Sequence, residues 1–265
     1  CIRDSIWQAD PAFWNRHAPV LFPNVGKYYG GHFTYNGKAY PMGQHGFARD
    51  TEFEQIAAGE DFVTYRLCAD EESKKKYPFD FVLEITHRLE NNRLSVEWNV
   101  KNVDDKEMYF TIGGHPAFNV NILPDTDFED YSLVFKEGIE TLSYILIDAE
   151  NGTALTDKTH KLELTNSKYA LKKDMFDKDA LIFDNGQIEW VGLALPNGKP
   201  YIALESKNFP NFGIWSKPGA PYVCLEPWCG RCDNKGFQGE ISEKPGINTL
   251  KAGEVFKKSY DIIVY

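Results

Sequence analysis

No stretch of the sequence approaches the roughly 20 apolar residues that span a bilayer, and no basic-then-apolar secretory signal is present. Basic clusters are scarce as well. The run Lys74-Lys75-Lys76 follows Asp70-Glu71-Glu72 and reads as a solvated loop, within a chain of formal charge −10. Nucleic acid and anionic membranes repel such a chain, so neither is an expected partner. Cysteines are few and odd in number, five in all, which argues against a disulfide scaffold. Cys229-Gly-Arg-Cys232 has the spacing of a redox or zinc half-site, but the βαβ setting of the one and the second ligand pair of the other are both missing. The residues therefore point to no metal site, and a reducing, cytoplasmic location fits them. There is no Gly-rich loop to cradle a phosphate cofactor. Helical periodicity is limited to short pieces at 11–16 and 172–176.

What is present is apolar alternation. Hydrophobic residues make up 42% of the chain, enough for a sizeable core, and 14% of the chain is aromatic. Phe79, Phe81, Leu83 and Ile85 alternate with polar or outward partners, and Asn91-Asn92 breaks the run. Leu94, Val96, Trp98 and Val100 then repeat it, and Met108-Phe110-Ile112 follows the Asp104-Asp105 turn. This is the pattern of an antiparallel meander with one buried face. Asp184-Asn185-Gly186, between 181–183 and 188–195, gives a hairpin signal, and Asn197-Gly198 gives another. Tyr260, Ile262 and Val264 share one face of a last strand. The expected fold is all-β, two or more stacked antiparallel sheets. With no repeat and no linker, residues 1–265 read as one domain. Because core-like sequence begins at Ile6-Trp7, further strands are expected upstream of Cys1.

Six histidines can be weighed singly. His17, His32, His87 and His160 have ordinary surroundings and are read as surface or structural. His115 is different. It lies in Gly113-Gly114-His115-Pro116, after a buried strand, where two glycines allow close approach and Pro116 restricts the backbone. A rigidly held titratable group at a strand end suits general acid–base work. Glu226, in Cys224-Leu225-Glu226-Pro227-Trp228, is the matching carboxylate: it follows an apolar strand, and burial would raise its pKa toward a useful range. The plain alternatives are a turn-capping histidine and a Glu226 paired with Arg231 or a lysine. In Gln44-His45-Gly46-Phe47-Ala48-Arg49-Asp50, His45 and Arg49 offer hydrogen bonds to a ligand.

Five strings together resemble the aldose 1-epimerase (galactose mutarotase-like) family, in particular its LacX-like bacterial branch. They are 7–10 (WQAD), 18–23 (APVLFP), 44–50 (QHGFARD), 114–118 (GHPAF) and 225–228 (LEPW), in the family's order and spanning most of the chain. The resemblance implies a large β-sandwich of the supersandwich kind, with an open cleft on one sheet. It implies cofactor-free chemistry at the anomeric carbon of a sugar. It makes His115 the general acid, Glu226 the general base, His45 a substrate-binding histidine and Asp179 the substrate-binding aspartate. Where many relatives carry an arginine after the Phe-Pro segment, this chain has Gly26-Lys27. Lys27 keeps the charge without the bidentate fork.

The expected function is interconversion of α and β anomers of an aldohexose. A phosphorylated sugar is an alternative that would call on Lys27, Arg49 or Arg231. A non-catalytic carbohydrate-binding protein is another, since fold does not fix function. A glycoside hydrolase would want two carboxylates about a scissile bond, and only one is well framed here. Oligomeric state is left open.

Overall fold

The computed structural model describes residues 5–265, which form two large antiparallel sheets. One has nine strands. At its centre Phe81–Glu90 pairs with Arg93–Asn102, which pairs in turn with Val255–Val264. The reversal between the first two needs a positive φ, and Asn91 supplies it at 54°. Phe81, Leu83, Val96, Trp98, Val100 and Tyr260 are buried, as strict alternation with one face on a core requires.

The other sheet has eight strands, most of them short. Its spatial order is Val20–Leu21, Ile112–Gly114, Tyr222–Cys229, Asn211–Trp215, Leu181–Phe183, Thr141–Ile147 and Ala154–Glu163, with Ala117–Asn119 also pairing on Tyr222–Cys229. Phe183, Phe212, Val223 and Leu225 from this sheet join Leu83, Trp98 and Val100 from the other in one core cluster. Burying both inner faces at once makes the arrangement a sandwich.

Four local expectations are corrected. Met108–Phe110 does not continue the meander: it pairs with Asn248–Leu250 in a separate two-stranded sheet, and Ile112 opens the next strand, in the eight-stranded sheet. The Asn185-Gly186 turn has both residues at positive φ (67° and 64°), but it does not close a hairpin. Leu181–Phe183 pairs with Asn211–Trp215 in the eight-stranded sheet, while Trp190–Ala194 pairs with Pro200–Glu205 in the nine-stranded one, so the turn carries the chain across the sandwich. Asn197-Gly198 does close a hairpin, between those last two strands. The charged run is a short helix, Glu71–Lys76, rather than a loop. Asp70 accepts from the Ser73 N–H while Ser73 Oγ accepts from the Asp70 N–H, with acids in the first turn and lysines in the last. Residues 11–16 and 172–176 are turns and irregular chain instead of helix. Among the described residues no helix is long and apolar enough to cross a membrane.

Candidate active site

Tyr222–Cys229 organises the site. Alternation sends Val223, Leu225 and Cys229 into the core between the sheets, and Tyr222, Cys224, Glu226 and Trp228 to the outer face. Glu226 thus sits within the strand and not after it, because Pro227 does not end the ladder. Leu225 N–H donates to the Pro116 carbonyl (3.1 Å), so alternation puts Pro227 on that same edge. There the partner chain is interrupted: Ala117–Asn119 pairs with residues 222–224 and Ile112–Gly114 with 228–229. A missing N–H costs nothing at such a gap. His115 and Pro116 are the residues of the gap.

Packing explains the glycines around it. A Cβ on Gly113 would lie 2.4 Å from Trp228 Cδ1, one on Gly213 would lie 2.3 Å from Trp228 Cζ2, and one on Gly114 would lie 2.8 Å from the Tyr260 hydroxyl. The Trp228 indole therefore lies over two glycines of neighbouring strands, and Tyr260 presses on Gly114.

The result is a buried pair. His115 Nε2 lies 3.3 Å from Glu226 Oε1, with the two side chains 8% and 2% exposed. Glu226 does not pair with Arg231, which is held by Asp184 (3.0 Å) and Asn234. Burial drives both groups toward their neutral forms. The Glu226 carboxyl is raised well above the usual range, the nearby Asp179 charge adding to this. The Trp228 indole N–H pulls partly the other way, although its Nε1 makes no full hydrogen bond. The His115 imidazole is pushed down to about 3, chiefly by burial; its own backbone pulls the other way, while Arg49 and Arg16 add to the lowering. Its Nδ1 is buried without a hydrogen-bond partner. Trp14 packs against the ring at 4.7 Å between centroids, tilted by 31°, and Trp215 meets it edge-on at 5.9 Å.

His45 is the third fixed group. At φ 66° it occupies the left-handed region, and Gly26 holds it from both sides. Its N–H donates to the Gly26 carbonyl (2.8 Å), and its Nδ1 accepts from the Gly26 N–H (3.0 Å). That bond assigns the ring hydrogen to Nε2. Burial, then the charges of His115, Arg49 and Arg16, keep this ring well below its usual pKa, hence neutral.

His115, Glu226, His45, Arg49, Asp179 and Lys27 all line one cavity of about 370 Å³, within the roughly 300–1,000 Å³ typical of small-molecule sites. Arg49 donates to the Gln44 carbonyl (2.8 Å), and its buried Nε makes no hydrogen bond but lies 3.7 Å from Asp50 Oδ2. Asp179, at φ 72°, caps the Ala180 N–H with Oδ1 (2.7 Å). Lys27 lays its stem against Gly152. Cavity residues not singled out from the sequence include Trp14, Gln44, Asp148 and Trp215. Only the high aromatic content hinted at the two tryptophans, and nothing local marked Asp148, which reaches the cavity from the turn after Thr141–Ile147. Asp148 and Asp179 also mean that Glu226 is not the sole framed carboxylate. The two cysteines of the CxxC separate: Cys229 packs in the core, and Cys232 lines the cavity.

Known proteins are similar along nearly the whole chain. A family model described as Aldose 1-epimerase matches residues 2–262. Protein LacX (plasmid) of Lactococcus lactis subsp. lactis is 32% identical over 267 residues, covering 98% of this chain and 89% of the relative. A galactose mutarotase related enzyme from Lactobacillus acidophilus superposes with a TM-score of 0.92 at 35% identity, covering 98% of this chain and 87% of that one. A galactose mutarotase-like protein from Lactobacillus casei gives 0.87 at 32%, covering 98% and 89%.

Proposed function

The chain belongs to the aldose 1-epimerase family, and on that premise we propose that it interconverts the α and β anomers of an aldohexose, with Glu226 and His115 as the acid–base pair. The observation that carries this reading is the buried 3.3 Å contact between His115 Nε2 and Glu226 Oε1 at the cavity wall. Ring opening needs one proton taken from the anomeric hydroxyl and one given to the ring oxygen. Glu226 as carboxylate accepts the first, and His115 as imidazolium donates the second. Rotation about the adjacent carbon–carbon bond and reclosure with the roles reversed invert the anomeric centre.

The pair needs a single proton for this cycle. Carboxylate with imidazolium and carboxylic acid with neutral imidazole hold the same number of protons and differ only in where one sits. Burial in the free protein favours the neutral arrangement, which in this scheme is the state left after ring opening. A bound cyclic sugar stabilises the ionised arrangement, because its hydroxyls supply the hydrogen bonds that water no longer can. His45 Nε2–H donates to a sugar oxygen, Arg49, Lys27 and Asp179 bind hydroxyls, and Trp14 and Trp215 offer indole faces to sugar C–H groups.

Polarimetry of freshly dissolved α-D-galactose and α-D-glucose tests the reading. Acceleration of the approach to equilibrium is expected for at least one of them. Acceleration of glucose 6-phosphate alone would transfer the assignment to sugar phosphates, and acceleration of none would make this a binding protein.

A further inference from the structure

The strand that bears Glu226 carries one buried group that ring opening does not use. Cys224 stands two residues earlier on the same face, fully buried and unpaired. Ligand atoms of His115, Cys224 and Glu226 all lie within 4.8 Å of one another, and among the described residues no other three such side chains come together. The His115–Glu226 edge is 3.3 Å. Tetrahedral zinc, with bonds to nitrogen and oxygen near 2.0–2.1 Å, has N···O edges of about 3.3–3.4 Å. That edge fits as it stands. A thiolate corner at about 2.3 Å requires S···N and S···O edges near 3.6 Å, so the sulfur has to close by at most about 1.2 Å. The His115 Nδ1 is buried with no hydrogen-bond partner, so no bond there is broken if the ring shifts. His115 and Glu226 both line the cavity, which gives an ion its route in and leaves the fourth position to water or a sugar hydroxyl.

We infer that His115, Cys224 and Glu226 form a three-ligand site for a borderline-soft divalent cation, with Zn²⁺ as the representative, and that its occupancy switches the protein off. The sulfur selects against Mg²⁺ and Ca²⁺, which take oxygen ligands. Inhibition follows because the ion takes both proton-transfer groups at once. This inhibitory half rests on the acid–base reading above, while the binding half does not.

The test is titration of the reduced, chelator-free protein with Co²⁺ and then Zn²⁺. Cobalt should bind with one equivalent showing a sulfur-to-cobalt charge-transfer band, which zinc removes. Cys224→Ser should lose the band and bind at least about 10-fold more weakly, while Cys68→Ser, at an exposed cysteine, should leave it unchanged. Thermal melts establish that the variants are folded. Anomeric exchange by wild type should fall as zinc occupies the site, and Cys224→Ser should keep its activity at the same zinc concentration. No band in wild type, or a band that survives in Cys224→Ser, overturns the site. A band with undiminished exchange under zinc overturns the inhibition alone. A wild type without any exchange activity sinks the acid–base reading, with the cobalt band still reporting on the site.

Discussion

The nine-stranded and eight-stranded sheets follow the same alternation rule to different ends. In the first, Phe81–Glu90 and Arg93–Asn102 pair residue for residue over ten positions, and Val255–Val264 continues the register. In the second, Tyr222–Cys229 meets two separate three-residue segments along one edge, and His115 occupies the break between them. The continuous sheet buries side chains. The interrupted sheet frees a backbone edge, admits a proline and a histidine, and buries ionisable groups on its outer face. The proposed chemistry sits where the ladder is broken, in the sheet that packs against the unbroken one.

Substitutions on either side of this divide should separate rate from stability. The largest effect is expected at the break. His115→Ala should lower kcat by about 10²–10⁴-fold with the fold intact, which steady-state polarimetry and a thermal melt measure together. On the continuous sheet, Leu83→Ala removes a fully buried side chain and should cost about 2–5 kcal/mol in denaturant unfolding. Its kcat per folded molecule should stay near wild type. Gly113→Ala tests the join between the two, because its Cβ would run into Trp228. A loss of about 1–3 kcal/mol from overpacking is expected, together with reduced activity as the indole beneath the cavity shifts.

A smaller effect distinguishes the buried acid by its sign. The carboxyl of Glu226 is raised in the fold, so its stabilising contribution is present below the unfolded value of about 4.3 and is lost as pH rises toward the folded one. Glu226→Gln should therefore melt higher than wild type at pH 8, with a smaller advantage at pH 4. His115 runs oppositely: its contribution is present above about 6.5 and is lost as pH falls toward about 3.

The sequence revealed the continuous sheet more fully than the interrupted one, for a physical reason. Long strands of one buried face write their period into the residues: the alternations at 94–100 and 260–264 are strands in the structure, and so is that at 79–85 apart from Phe79, which lies in the bend before Phe81–Glu90. Short strands such as Val20–Leu21 leave too few positions for a period to show. An Asn-Gly pair fixes a local turn but not which sheet the next strand joins. That choice depends on partners far along the chain, which is why 184–186 crosses the sandwich. His115, Glu226 and His45 stood out through their Gly and Pro neighbours and through family resemblance, whereas Trp14 and Asp148 reach the cavity from segments with no local mark of a site.

The central claim is that Glu226 exchanges a proton with the anomeric hydroxyl of a sugar across from His115. Proton exchange-spectroscopy NMR of an equilibrated hexose reads the α–β interconversion directly, with wild type and Glu226→Gln compared at equal concentration. The account predicts exchange cross-peaks with wild type and a rate at least about 10²-fold lower with the variant. A folded Glu226→Gln that exchanges anomers as fast as wild type would contradict it.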